Sequence, residues 1–135
     1  VAMANFLLDL CTGKTLEVLM GYVFYPFALV MGVPPEDAFT VGQLLGTKTV
    51  LNEFLAYEKL SALMADGEMT KRAVTISTYA LCGFANFGSI AILLGGLRGV
   101  APGRGGEVAA LGLKALLAGT LAAFMTACFA GILAG

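Results

Sequence analysis

Two polar runs lie inside segments otherwise apolar enough for lipid, and they limit what this chain can fold into. One is Lys48-Thr49-Val50-Leu51-Asn52-Glu53-Phe54-Leu55-Ala56-Tyr57; the other is Ala80-Leu81-Cys82-Gly83-Phe84-Ala85-Asn86-Phe87-Gly88-Ser89. A carboxylate or amide in a bilayer is expensive, so it is kept where it pairs, lines a wet cavity or meets a ligand. The rest of the chain is lipid-compatible: 59% of its 135 residues are hydrophobic and 13% charged, against about 45–50% and about 25% in soluble domains. The expected class is an all-α membrane protein, multi-pass and integral to the membrane.

Composition also excludes functions. Net charge is -1, so no basic footprint points to nucleic acid. Histidine is absent, which removes His-based proton relays and His metal ligands from this chain; no metal site is expected. Cys11, Cys82 and Cys128 are far apart in apolar surroundings and read as small packing residues, not as a disulfide or zinc framework. Ser61, Ser77 and Ser89 have no His to activate them. An enzyme is therefore not expected.

Residues 1–12 read as the end of a transmembrane helix cut mid-span, which suggests the C-terminal part of a larger protein. Val18 to Pro35 carries no charge, but Tyr22, Phe24, Tyr25 and Phe27 crowd its middle and Pro26 interrupts it. Aromatic residues gather at membrane–water boundaries, so an interfacial helix is expected over residues 15–31. Residues 37–63 are apolar but carry Gln43, Lys48, Asn52, Glu53 and Glu58. Two arms, about 38–46 and 50–63, flank Gly46-Thr47-Lys48-Thr49, and each is too short to span. A re-entrant helical hairpin with a polar tip fits this pattern, since irregular backbone at depth needs protein or a wet cavity around it.

Ala73 to Leu97 is charge-free, and its middle carries Gly83, Asn86, Gly88 and Ser89. A discontinuous transmembrane helix is expected over residues 70–97, broken near Gly83–Asn86. A final transmembrane helix is expected over 107–134. There Ala115, Gly119, Ala123, Ala127, Gly131 and Gly135 recur every four residues, which allows close helix packing. Flanking Lys and Arg give no clear orientation.

Glu53 is the leading candidate site residue. It can meet a hydroxylated or cationic ligand, or pair with Lys48 or Lys59. Asn52 is expected to cap the second arm. Asn86 and Ser89 share a helix face. Their amide and hydroxyl suit a vicinal diol, or serve helix–helix hydrogen bonding. Phe84 is either an apolar wall for a planar ring or core packing. A polar-tipped hairpin followed by an interrupted helix is the arrangement secondary transporters use at mid-membrane.

At Gly46-Thr47-Lys48, at Asn52-Glu53-Phe54-Leu55-Ala56-Tyr57, over Thr78 to Ser89 and at Leu94-Gly95-Gly96-Leu97 with Ala101-Pro102, the chain resembles the concentrative nucleoside transporters. Gly21-Tyr22-Val23-Phe24-Tyr25-Pro26 and Gly32-Val33-Pro34 fit the same family. The resemblance implies the second half of an inverted-repeat, ion-coupled nucleoside symporter, a homotrimer in the plasma or inner membrane. It implies that Glu53, Asn86 and Ser89 bind ribose hydroxyls and that Phe84 packs near the base. No cofactor is implied beyond a coupling cation, sodium or proton, held mainly by residues outside this chain. The segment alone is expected not to transport. A structural or channel-forming subunit is the alternative reading.

Overall fold

A computed structural model describes residues 15–134. The helix end expected over 1–12 lies outside the described residues. All regular structure among the described residues is helical: α1 (Leu16–Val30), α2 (Pro35–Val50), α3 (Glu53–Ala65), α4 (Lys71–Leu81), α5 (Phe87–Val100), a single 3-10 turn (Pro102–Arg104) and α6 (Gly105–Leu133).

Helix α2 is the central element. Pro35 starts it, and Glu36 and Asp37 follow in its first turn, where the helix dipole favours acids. Val41, Leu44, Leu45, Thr47 and Lys48 are all buried along it. Helix α1 packs closely against it because glycine removes the side chains between them. A Cβ at Gly42 would stand 2.6 Å from the Gly21 carbonyl oxygen, and one at Gly46 would run into the Met20 side chain. Tyr22 of α1 and Phe39 of α2 add an edge-on ring contact at 5.0 Å.

Helix α1 runs on through Pro26, although a proline costs a helix one N–H and crowds one carbonyl. One expectation changes here: the hairpin tip is displaced. Gly46-Thr47-Lys48-Thr49 remains helical, and the chain reverses at Leu51–Asn52. The Thr47 and Thr49 hydroxyls donate back to the carbonyls of Gln43 (3.0 Å) and Leu45 (2.8 Å), the way a hydroxyl is accommodated inside a helix.

The charge-free run beginning at Ala73 is divided. Helix α4 has 11 residues and α5 has 14, each shorter than the ~20 a span requires. Five non-helical residues, 82–86, separate them. Gly83 there has φ +144°, a conformation that side chains rarely adopt. Helix α6 has 29 residues, about 43 Å long at ~1.5 Å each. Within Pro102–Leu133 an 18-residue stretch reaches a mean hydropathy of 2.0, and the segment is long and apolar enough to cross a membrane.

The small-residue stripe of α6 serves two neighbours. Ala127 and Gly131 are buried, and a Cβ at Gly131 would meet Ile76 of α4 at 3.1 Å. Higher up, a Cβ at Gly119 would lie 3.3 Å from the Ala85 side chain in the break. Phe124 joins α6 to α1 through ring contacts with Phe24 (6.2 Å) and Phe27 (5.8 Å).

A second polar anchor ties the start of α2 to the start of α4. Asp37, 5% exposed, accepts from both the amide (3.1 Å) and the hydroxyl (2.7 Å) of Thr70. The same hydroxyl caps α4 by accepting from the Ala73 amide at 3.2 Å. Arg72 adds a bond from its Nε to the Gly32 carbonyl at 2.9 Å.

The close approach of α1 and α2 is open to test. Gly42→Ala in the full-length protein is expected to lower stability by about 1–3 kcal/mol through overpacking against backbone. A thermal midpoint unchanged from wild type would contradict that packing.

Candidate functional site

The site forms where the hairpin turn meets the helix break. Both places begin a new helix, and both use asparagine to do so. Asn52 is extended (φ -164°, ψ 170°) and its side chain accepts from the Leu55 amide at 3.0 Å. Asn86 is extended likewise (φ -143°, ψ 163°) and its Oδ1 accepts from the Ser89 amide at 2.7 Å. Each cap meets one of the amides that a helix start leaves unpaired.

Glu53 is the first residue of α3, where a carboxylate is favoured by the helix dipole. Its Oε2 accepts from Asn86 Nδ2 at 3.0 Å. Asn86 is 3% exposed and so bridges two elements: one end of its amide caps α5, the other holds the hairpin carboxylate. Glu53 itself is only partly buried. A carboxylate offers about four acceptor positions and a primary amide two donors. The single bond between them leaves both groups with capacity for a further partner.

Ser89 is joined to Asn86 through its backbone, one turn into α5. Phe84 lies in the break and is 77% exposed. Phe84, Asn86 and Ser89 line one open cleft of about 270 Å³ between α5 and α6, whose other walls include Ile90, Leu93 and Leu116. Glu53 does not line that cleft; it reaches Asn86 from the hairpin side. The four candidates therefore divide into a polar pair, Glu53 with Asn86, and an apolar cleft beside it that shares Asn86.

The alternative pairing of Glu53 with a lysine is not what the structure contains. Lys48 Nζ donates to the Ala80 carbonyl at 3.0 Å. Lys59 Nζ donates to Thr47 Oγ1 at 3.2 Å. Among the described residues the salt bridge present is Arg104–Glu107, at 2.8 Å on the exposed start of α6.

A family model described as "Na+ dependent nucleoside transporter C-terminus" matches residues 1–131. The chain belongs to this family. The family is one of integral membrane transporters. Solute carrier family 28 member 3 of Eptatretus stoutii is 49% identical over 130 residues, which is 87% of this chain and 19% of that protein. The uncharacterized transporter YutK of Bacillus subtilis is 52% identical over 120 residues, 89% of this chain and 29% of the relative. Among solved structures, CNTnw in an inward-facing substrate-bound state has a TM-score of 0.88 at 42% identity, covering 97% of this chain and 32% of that one. The chain thus spans less than a third of the length of each of these proteins.

Two residues of the site were not singled out for their partners by sequence reasoning. Lys48 was weighed only against Glu53, and Tyr57 was given no role; both bond main-chain carbonyls of α4. A carbonyl partner 32 positions away for Lys48, or 21 for Tyr57, leaves no mark on sequence spacing.

The two asparagine caps differ in what they hold, and stability should rank them. Asn52→Ala removes one cap and is expected to cost about 0.5–2 kcal/mol. Asn86→Ala also strips Glu53 of its donor and is expected to cost more, about 2–4 kcal/mol. Thermal midpoints of the full-length protein in lipid discs check the order; equal shifts would contradict the bridging role of Asn86.

Proposed function

We propose that this chain supplies the ribose-binding half of a nucleoside symporter. The full-length protein carries nucleosides across the plasma or inner membrane by secondary active transport. The ribose hydroxyls donate to Glu53 and exchange hydrogen bonds with the Asn86 amide and the Ser89 hydroxyl. Phe84, exposed on the apolar cleft beside Asn86, packs near the base. The observation that carries this reading is the 3.0 Å bond between Glu53 and Asn86 at the meeting of two helix starts. It holds an acceptor-rich and a donor-rich group side by side, the complement of a vicinal diol, whose hydroxyls both donate and accept. Family membership supports the same substrate class.

Transport follows by alternating access. A loaded hairpin and broken helix move against the rest of the protein, and a co-transported cation favours the loaded state. Sodium is the favoured cation, in keeping with the family's description. The base-reading groups and most of the cation site belong to parts of the protein outside this chain. Assembly is as a homotrimer.

The test uses the full-length protein in sealed vesicles, with uptake of a nucleoside and of its 2′,3′-dideoxy analogue measured under imposed sodium or proton gradients. A charge-assisted hydrogen bond is worth about 1.5–3 kcal/mol, so Glu53→Gln is expected to weaken apparent nucleoside affinity by about 10- to 150-fold. The dideoxy analogue should bind wild type poorly and lose little more in the variant. Undiminished affinity in Glu53→Gln would overturn the ribose role. Uptake that neither saturates nor responds to a gradient would favour a channel-forming subunit instead.

A further inference from the structure

The hairpin touches the broken helix on both sides of its break, with a different kind of group on each. After the break, Glu53 takes the Asn86 amide. Before the break, Lys48 Nζ donates to the Ala80 carbonyl at 3.0 Å and the Tyr57 hydroxyl donates to the Thr78 carbonyl at 2.7 Å. Both carbonyls belong to the last turn of α4, where a helix leaves C=O groups without amide partners. An unbroken helix would give the Thr78 carbonyl to the Cys82 amide. That amide instead turns back to Tyr79 at 3.2 Å, and Tyr57 takes its place. Lys48 is 1% exposed. A buried amine is costly, and in this structure it is spent on a helix end. A basic group at the carbonyl end and an acidic group at the amide end is the sense a helix dipole favours.

These contacts close a ring through the site. Lys48 holds Ala80; residues 82–86 lead from there to Asn86; Asn86 holds Glu53; the turn at Leu51–Asn52 leads back to Lys48. Loosening one contact shifts Asn86 against Glu53 while leaving both side chains intact.

We propose that Lys48, with Tyr57 beside it, is a positioning residue for ribose recognition: it fixes the carbonyl end of the break and thereby the separation of Asn86 from Glu53. The proposal rests on the ribose reading of that pair. Neither residue need touch the nucleoside. A displacement of about 1 Å at a binding group is enough to lose much of its contribution. The effect should therefore fall on the preference for ribosides, not on base preference or on the amount of protein in the membrane.

The readout is the ratio of apparent affinities for a nucleoside over its 2′,3′-dideoxy analogue, measured by vesicle uptake with the full-length transporter. This ratio does not depend on how much protein reaches the membrane. Lys48→Met is expected to lower it about three- to tenfold, and Tyr57→Phe by a smaller factor, in line with the loss of single hydrogen-bond contributions. Glu53→Gln should remove most of it. Adding Lys48→Met to Glu53→Gln should bring little further loss, because residues acting through one contact are non-additive. If Lys48→Met fails to fold, Tyr57→Phe carries the test. An unchanged ratio in every lysine or tyrosine variant that folds, with the ratio collapsed in Glu53→Gln, would overturn the positioning role and leave the ribose reading standing. An unchanged ratio in Glu53→Gln would overturn the ribose reading, and this proposal with it.

Discussion

A helix interrupted inside an apolar layer exposes main-chain carbonyls on one side of the gap and amides on the other. Lipid has nothing to offer either set. The rest of this structure depends on how those groups are met. The carbonyl side is met by Lys48 and Tyr57, the amide side by Asn86, and three of the four residues involved in these bonds and in holding Asn86 belong to the hairpin. The hairpin and the break need each other. Lys48, Glu53 and Tyr57 of the hairpin find their partners at the break, and the Thr78 and Ala80 carbonyls before the break find theirs on the hairpin. Their union leaves a carboxylate and an amide adjacent, partnered to each other and still able to bond a third group.

The same two elements are tied at their other ends. Asp37 in the first turn of α2 holds Thr70, which starts α4, and Arg72 reaches back to Gly32. Helix α4 is thus fastened to the hairpin at its start and at its finish. Helices α1 and α6 then pack around this pair through glycine and alanine, as the near contacts at Gly42, Gly46 and Gly131 show. Helix α5 is different. It has no buried residue among those described, and it leaves the core directly after Asn86. It packs instead on α6, and the two helices form the cleft that Asn86 and Ser89 line.

Some of this was legible in the residues themselves. Glu53 and Asn86 stand out because a carboxylate and an amide are costly in apolar surroundings, although an ion pair or helix–helix bonding could also account for them. Asn52 reads as a cap because an asparagine ahead of an apolar stretch is the ordinary way to begin a helix, and its bond to Leu55 has that form. Other features were not legible. Gly46-Thr47-Lys48-Thr49 has the composition of a turn, yet it is helical: both threonine hydroxyls bond the preceding turn, and Gly46 sits where a side chain would run into Met20. Lys48 looks like a partner for a nearby acid; its true partner is a carbonyl that only the three-dimensional fold brings near. Phe84 could be read as wall or as core, and only its exposure distinguishes the two.

The central claim is that the hairpin carboxylate and the break amide form one site for a sugar diol. It is tested most directly by the structure of the full-length protein with a nucleoside bound. The account predicts ribose oxygens within about 3 Å of both the Glu53 carboxylate and the Asn86 amide. A nucleoside seated with its ribose away from that pair, and with the Glu53–Asn86 bond unvisited by any ligand atom, would contradict it.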